Sequence, residues 1–410
     1  MLLAILMGIG CAQAQTAFAL KDGDRVIFYG DSITEPRLYT SFVESYVLTR
    51  FPHDRIEFCN SAWGGDRADG GRGGPIDLRL RRDVISHHPT VFVLDLGIND
   101  GRGQPYNTPL YDRFVSNYEH IIKVLREANP DLRITLLPPS PYDEITRPPA
   151  FPGGGYNGVM VRYGEFVKDL GYRAGFNVAD MNAPLVSVLV AAEAKDPALA
   201  KRIAGDGTHP GIAGHLIMAE ALLKAWHAPA MVSKVSIEVA GARVNDATNT
   251  KITDLRLGTG VSWTELDDAL PFAIDTSDPA ILMAVKYSDF VQALDQETLK
   301  VTGLRAGRYL LTIDGNHIGV FDQSQLQGGI NLVLLDTPMT RQALRVHDLT
   351  IKRNEVQFGR WRQVEMALQS DLSPQKQAAM DELQALQEDI LAVQRSVAMP
   401  VPHHFEIIPQ

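Results

Sequence analysis

The chain has 410 residues, of which 45% are hydrophobic and 21% are charged, and its formal net charge is −10. This composition is typical of a globular protein, and the length is enough for two or three domains with separate cores. A nucleic-acid partner requires clustered basic surface, and the acidic balance of the chain argues against one. Arg79, Arg81 and Arg82 form a local basic cluster, which we interpret as the solvated face of a helix.

The start of the chain has the pattern of a secretory signal peptide, which we predict over residues 1–14. An apolar run is followed by Ala12-Gln13-Ala14, which is typical of a cleavage site, although no Lys or Arg precedes the run. Lipid attachment at Cys11 is the alternative, which Gly8 at the third position before it fits poorly. We therefore expect a secreted or periplasmic protein. No later stretch has about 18 consecutive apolar residues, so no membrane span is predicted.

Cys11 and Cys59 are the two cysteines of the chain. Removal of the leader would leave Cys59 alone, so no intramolecular disulfide is expected. Cys59 ends a strand-like run, and we interpret it as a small buried hydrophobic residue rather than a reactive thiol. The adjacent histidine pairs of the sequence lack partners at the spacing of zinc ligands, so no metal site is predicted.

Short apolar runs alternate with helix-like segments from residue 24 to about residue 230. We predict strands over 25–29, 56–59, 91–96, 133–137 and 177–179, most of them rich in β-branched or aromatic residues. Helices are predicted between them over 39–50, 76–87, 112–128 and 158–170. This alternation is typical of a parallel sheet that is covered by helices on both faces.

The pattern changes after about residue 230. Strands are predicted over 234–239, 251–257, 299–302, 309–313, 317–321 and 330–335, and Asp314-Gly315 indicates a hairpin. Two long helices are predicted over 338–367 and 374–397. Apolar residues recur at three- and four-residue steps in the second helix, which indicates a packed face. This face packs against the β-rich segment in our preferred interpretation and mediates dimerisation in the alternative one.

Ser32 is the candidate nucleophile, because it lies at a turn between a predicted strand and a helix. A hydroxyl near a helix N-terminus lies in partial positive charge that stabilises an anion. The alternative role of this serine is a helix N-cap. Ligands of parallel sheets bind beyond the carboxyl ends of the strands, where Gly30, Asn60 and Gly97 also lie. Two irregular stretches, 64–74 and 138–155, are candidates for the border of the same site.

His209 is the candidate base, because a neutral imidazole takes up a serine proton and returns it to a leaving group. Asp206 precedes it by three residues and is placed to orient its ring. The side-chain amide of Asn99 and the backbone N–H groups of Ser32 and Gly65 are candidate oxyanion donors. Taken singly, His209 also fits an ordinary loop histidine, and Asn99 fits a turn residue.

Four short runs of the chain together resemble, in order and character, the sequence blocks of the SGNH hydrolases, also called the GDSL esterase/lipase family. The runs are Gly30-Asp31-Ser32-Ile33-Thr34, Asn60-Ser61-Ala62-Trp63-Gly64-Gly65, Gly97-Ile98-Asn99-Asp100 and Asp206-Gly207-Thr208-His209-Pro210. The resemblance covers residues 24–226, about half of the chain. Nothing after residue 230 resembles a family from which properties could be carried over.

The resemblance implies that Ser32 is the nucleophile and His209 the base, with Asp206 behind it. It also implies an oxyanion hole made by the amides of Ser32 and Gly65 and the side chain of Asn99. Ala62 stands where the family has its first glycine of the second block. Because of this departure, either Gly64 or Gly65 could be the glycine of the oxyanion hole. The spacing favours Gly65.

We therefore predict an α/β fold: a three-layer α/β/α sandwich with a parallel, flavodoxin-like sheet, followed by a β-rich segment and a C-terminal helical pair. The predicted boundaries are 1–14 for the signal peptide and 21–230 for the SGNH hydrolase domain. The β-rich accessory segment is predicted over 231–336 and the helical hairpin over 337–398.

The predicted activity is that of a carboxylic ester hydrolase that transfers an acyl group through Ser32 in two steps, with no cofactor and no metal. A small acyl group, acetyl above all, on a small-molecule or carbohydrate alcohol is the expected substrate. Trp63 is a candidate substrate contact, and packing under its loop is the equal alternative. A lysophospholipase or generic short-chain esterase, and a non-catalytic glycan-binding module, are the alternative functions. The oligomeric state is left open.

Overall fold

A computed structural model describes residues 17–410 of the protein. The predicted signal peptide over residues 1–14 therefore lies outside the described residues. Within the described part, none of the helices combines the length and the apolar character that crossing a membrane requires.

Five parallel strands form the first sheet, in the order β2-β1-β3-β4-β5. Their bounds are β1 Arg25–Gly30, β2 Glu57–Asn60, β3 Val91–Asp95, β4 Arg133–Leu137 and β5 Asn177–Val178. Every residue of β3 and all but the first of β1 are buried, because helices cover both faces of the sheet. The predicted flavodoxin-like α/β sheet is confirmed.

Seven helices accompany this sheet: α1 Leu38–Arg50, α2 Ile76–Asp83, α3 Thr108–Ala128, α4 Gly155–Ala174, α5 Asn182–Lys195, α6 Pro197–Ala204 and α7 Ile212–Ala225. The first four were predicted with shifted ends. Helix α3 begins at Thr108 rather than at residue 112, because the Asn107 side chain accepts a hydrogen bond from the Leu110 N–H group. Helices α5, α6 and α7 were missed.

Nine strands follow: β6 Met231–Glu238, β7 Arg243–Thr248, β8 Thr250–Leu257, β9 Val261–Asp267, β10 Gln296–Thr302, β11 Arg308–Ile313, β12 Asn316–Asp322, β13 Ile330–Asn331 and β14 His403–Pro409. They form a five-stranded sheet, β8-β9-β14-β11-β12, and a four-stranded sheet, β13-β10-β6-β7. The predicted Asp314-Gly315 hairpin is confirmed, with both residues at positive φ. The strand predicted over 330–335 is only two residues long, and β7, β9 and β14 were missed.

The remaining helices are α8 Pro279–Lys286, α9 Phe290–Leu294, α10 Gln323–Gly328, α11 Pro338–Phe358 and α12 Pro374–Ala398. The long helix predicted over 338–367 is wrong at its end, because α11 stops at Phe358 and a π-helix follows over Gly359–Glu365. Helix α12 packs mainly against α11, so the interpretation that it packs against the β-rich segment is wrong. Helix α11 also packs against α1, so it joins the C-terminal pair to the α/β part. The domain boundaries given above stay a prediction.

A buried ion pair holds α11 on α1. Arg353 Nη2 lies 2.6 Å from Glu44 Oε1, and the two side chains are 5% and 3% exposed. Asn354 donates a second hydrogen bond to the same carboxylate. Charges taken out of water in this way must stay paired, because an unpaired buried charge is strongly unfavourable.

Arg353→Ala is predicted to lower the free energy of unfolding by about 3–5 kcal/mol, because it leaves Glu44 buried without its cation. Denaturant or thermal unfolding measures this loss. The matched control is Arg341→Ala, which removes the exposed pair with Asp336 and should cost at most about 1 kcal/mol. Equal effects of the two substitutions would contradict the role given to the buried pair.

Candidate active site

Three of the predicted site residues meet at the carboxyl edge of the parallel sheet. Ser32 lies two residues after β1, and His209 lies in the turn before α7. Ser32 Oγ is 2.8 Å from His209 Nε2, and His209 Nδ1 is 2.8 Å from Asp206 Oδ2. The structure therefore brings a hydroxyl, an imidazole and a carboxylate into one continuous chain of hydrogen bonds.

The turn over residues 206–209 fixes the carboxylate against the ring. Asp206 Oδ1 accepts hydrogen bonds from the N–H groups of Thr208 at 2.9 Å and His209 at 2.8 Å. Burial alone would raise the pKa of Asp206, but the hydrogen bonds from His209 and Thr208 outweigh it and hold that pKa below its usual value. An ionised Asp206 accepts the Nδ1 proton of His209, so Nε2 faces Ser32 as a proton acceptor.

The three predicted oxyanion donors are the N–H groups of Ser32 and Gly65 and the side-chain amide of Asn99. Within residues 17–410, neither the Ser32 nor the Gly65 N–H group pairs with a backbone acceptor. Asn99 Nδ2 donates to Asp66 O at 3.1 Å, which uses one of its two amide hydrogens. Gly65 has a φ of +83°, a conformation that residues with a Cβ atom rarely adopt, so the backbone conformation explains this glycine.

Residues 28–217 match the model of the GDSL-like Lipase/Acylhydrolase family. This region of the chain is therefore similar to the members of that family. An acetylxylan esterase of Geobacillus stearothermophilus is 25% identical over 222 residues, which are 49% of this chain and 93% of that protein. The resemblance stated from the four sequence runs is confirmed, and the protein is a carboxylic ester hydrolase.

The likeness to one solved structure extends beyond the family region. BT4096, a gut microbial diltiazem-metabolizing enzyme, has 28% sequence identity and a TM-score of 0.83. The alignment covers 97% of this chain and 100% of that chain. The β-rich segment and the C-terminal helices of this acylhydrolase therefore share their arrangement with BT4096, although both lie outside the matched residues 28–217.

The irregular stretch over residues 138–155 supports the turn that carries the acylhydrolase's candidate base. The N–H group of Asp143 donates to Gly207 O at 2.7 Å, and Arg147 Nη2 donates to Gly205 O at 2.7 Å. Arg147 Nη1 also pairs with the Asp143 carboxylate at 2.6 Å. The sequence placed this stretch at the border of the site but gave no signal for Arg147.

The interpretation of Arg79 as part of a solvated helix face is wrong. Its side chain is fully buried, and Nε donates to Asp66 Oδ2 at 3.0 Å while Nη2 donates to Ser61 O at 2.7 Å. It also pairs with Asp83, one helical turn later. Arg79 therefore holds the loop that carries Gly65, and the i, i+4 spacing to Asp83 was the available sequence signal.

Trp63, two residues before Gly65, packs against charged and aromatic side chains of the π-helix Gly359–Glu365. The guanidinium carbon of Arg362 is 3.0 Å from the centre of its ring, and Trp361 contacts it edge-on at 5.7 Å between ring centres. Trp63 thus has extensive packing contacts, and its role in substrate binding stays a prediction.

Among residues 17–410, no group of three or more His, Cys, Asp or Glu side chains is arranged to hold a metal ion.

Buried carboxyl groups lie directly behind the nucleophile. Thr34 Oγ1 donates to Asp95 Oδ2 at 3.0 Å, and the N–H group of Ile33 donates to Asp31 Oδ1 at 3.0 Å. Burial raises the pKa of Asp95 to about 7. Burial and then the neighbouring Asp95 raise the pKa of Asp31 well above its usual value. Burial therefore disfavours the ionised form of both carboxyl groups in the folded protein.

Asp95→Asn is predicted to flatten the pH dependence of stability. With its pKa at about 7 when folded, Asp95 contributes stability that is fully present below about pH 4 and is lost as the pH rises through about 7. Asparagine keeps an acceptor for Thr34 but does not titrate. The free energy of unfolding of the variant should fall less steeply between pH 4 and pH 7, by up to about 1.4 kcal/mol per pH unit. Parallel curves for both proteins would contradict this assignment.

Proposed function

We propose that the protein is a serine esterase that removes small acyl groups, acetyl above all, from polar alcohols through an acyl-enzyme on Ser32. The observation that carries the proposal is the pair of 2.8 Å contacts that link Ser32, His209 and Asp206. A hydroxyl that is hydrogen-bonded to an oriented imidazole is the arrangement that activates a serine for acyl transfer.

In the first step, Ser32 Oγ attacks the ester carbonyl carbon while His209 Nε2 takes up the hydroxyl proton. The carbonyl oxygen gains negative charge in the tetrahedral intermediate, and the N–H groups of Ser32 and Gly65 and the amide of Asn99 stabilise it. The intermediate collapses, the bond to the alcohol oxygen breaks, and protonated His209 gives its proton to the departing alcohol. The acyl group is then bonded to Ser32 Oγ.

In the second step, a water molecule gives a proton to His209 Nε2 and attacks the acyl carbon. The same three donors stabilise the second tetrahedral intermediate. Its collapse breaks the bond to Ser32 Oγ, which recovers the proton from His209, and the carboxylic acid leaves. Asp206 stays ionised through both steps and stabilises the imidazolium that forms in each.

A carbohydrate alcohol is the substrate class that we favour. A cleft of about 640 Å³ lies beside Gly65, and its lining consists of glycines, Pro75 and the charged side chains Arg67, Asp69 and Arg72. Such a surface offers hydrogen bonds to hydroxyl groups, and no large apolar side chain lines it to bind a long acyl chain. The similarity to an acetylxylan esterase supports the same substrate class.

A small, non-carbohydrate ester is the second candidate substrate. This candidate draws support from the similarity to BT4096, which is described as a diltiazem-metabolizing enzyme and aligns over nearly the whole chain. The same two chemical steps apply to either alcohol, so the two candidates differ only in what occupies the cleft.

Ser32→Ala is predicted to reduce kcat/KM for p-nitrophenyl acetate by at least about 10⁴-fold, because it removes the attacking oxygen. Release of p-nitrophenol measures the rate, and circular dichroism confirms that the variant is folded. Ser86→Ala is the matched control, since the Ser86 hydroxyl is exposed and donates only to Arg82 O. Hydrolysis by the Ser32 variant at the wild-type rate would remove Ser32 from its role.

A substrate series tests the acyl and alcohol preferences separately. We expect kcat/KM to fall from p-nitrophenyl acetate to the butyrate and the octanoate, because the cleft beside Gly65 has few apolar side chains. Acetate release from acetylated xylo-oligosaccharides is expected to exceed that from diltiazem. Preference for the octanoate would contradict the small-acyl assignment, and preference for diltiazem would favour the second candidate.

A further inference from the structure

The π-helix Gly359–Glu365 brings the C-terminal helices into contact with the active-site loops. It lies outside residues 28–217, so the family match gives it no role. Trp361 is 9% exposed and packs edge-on against Trp63. Because π-helical turns are rare and occur frequently at functional sites, this segment is a candidate for a part in catalysis.

One side chain of this segment contacts two catalytic loops at once. Arg362 Nη2 lies 3.1 Å from Glu35 Oε1, and Glu35 is three residues after Ser32. The guanidinium carbon of Arg362 also lies 3.0 Å from the ring centre of Trp63, two residues before Gly65. Arg362 thus connects the loop of the nucleophile with the loop of the oxyanion glycine.

The two loops approach each other closely at Gly64. A Cβ atom at this position would lie 2.7 Å from Glu35 Oε2 and 3.7 Å from Ser32 Cβ, so a side chain there would displace Glu35. On the side nearer the sheet, Asn60 Nδ2 donates to Thr34 O at 2.8 Å and the Trp63 N–H group donates to Gly30 O at 3.0 Å. Arg362 supplies a third link between the loops, and this link comes from outside the α/β domain.

The side chains of Arg362 and Glu35 are partly buried. The Arg362 and Glu35 side chains are 19% and 27% exposed, so their attraction is screened less than that of a surface pair. Stacking on an indole ring adds a cation–π contact that a planar guanidinium makes well. Two contacts therefore hold the guanidinium group in one position.

We propose that Arg362 is a positioning residue for the oxyanion hole, which rests on the function proposed above. By holding Glu35 and Trp63, it sets the separation between the N–H groups of Ser32 and Gly65. Arg362 touches neither donor, so it acts through the two loops. Both donors must point at the position that the oxyanion occupies in the transition state, and a displacement of one loop weakens that interaction.

The test compares Arg362→Ala with Arg360→Ala. Arg360 lies in the same π-helix and carries the same charge, but its ion-pair partner, 3.8 Å away, is Glu365 of that helix. Arg362→Ala is expected to lower kcat for p-nitrophenyl acetate by about 10- to 100-fold with KM changed less than about 3-fold. Arg360→Ala is expected to retain the wild-type kcat. Arg362→Lys keeps the charge and should recover part of the loss.

A boronic acid that forms a tetrahedral adduct with serine reports on the oxyanion hole directly. Its inhibition constant should rise in Arg362→Ala by the same factor by which kcat/KM falls, whereas a purely structural loss would lower the melting temperature alone. The double variant Arg362→Ala, Glu35→Gln should lose no more activity than Arg362→Ala. Both substitutions break the same ion pair between Arg362 and Glu35, so their effects should not add.

The outcomes separate this proposal from the proposed function. If Arg362→Ala matches Arg360→Ala in kcat and in boronic acid affinity, Arg362 has no positioning role and the esterase proposal still stands. A rise in KM alone would make Arg362 a substrate contact instead and would also overturn the proposal. If Arg362→Ala does not fold, Arg362→Lys is measured in its place: a lowered kcat with a weakened boronic acid affinity supports the proposal, and wild-type kcat and affinity overturn it. A wild-type protein without esterase activity would overturn both proposals.

Discussion

The hydrogen bond between Ser32 Oγ and His209 Nε2 joins two loops that are 177 residues apart in the sequence. The parallel sheet makes this contact possible, because it brings both loops to its carboxyl edge. Burial does not hold the partners in place, since the side chains of His209 and Asp206 are 42% and 64% exposed. Their position depends on the hydrogen bonds within the turn and on the contacts from Asp143 and Arg147.

Buried charge supports the other half of the site. Arg79 is paired with Asp66 and Asp83 and also donates to the backbone of the loop that carries Gly65. Burying such a group is unfavourable unless its hydrogen-bonding capacity is satisfied, and the contacts of Arg79 with two carboxylates and one backbone carbonyl meet this requirement and hold the loop. Asp31 and Asp95 lie behind the nucleophile, and burial raises the pKa of both carboxyl groups, which disfavours negative charge at these two positions.

The strands of the first sheet and the candidate site could be predicted from the sequence because their signals are local. The strand predicted over 133–137 has the same bounds as β4, and Ser32, Asp206 and His209 lie in short runs that each follow a strand or form a turn. Strand β14 could not be predicted in the same way. It pairs with β9 and β11, which are distant in sequence, and these partners decide its conformation.

Arg79 and the π-helix show the same limit at single residues. An arginine in an amphipathic helix is usually exposed, and only the positions of Asp66 and Ser61 make Arg79 a buried contact of the catalytic loop. The apolar pattern of α11 continues past Phe358, so the sequence predicted an uninterrupted helix. The contacts of Trp361 and Arg362 with Trp63 occur only in the folded chain, where a widened turn directs both side chains to that ring.

In the proposed mechanism, His209 activates Ser32 for attack on an acyl carbon. Reaction with a fluorophosphonate, followed by proteolysis and mass spectrometry of the peptides, tests it without any assumption about the natural substrate. One adduct is expected, on Ser32, and His209→Ala should strongly slow its formation. An unreactive protein, or an adduct on another residue, would contradict the role of Ser32 as the nucleophile.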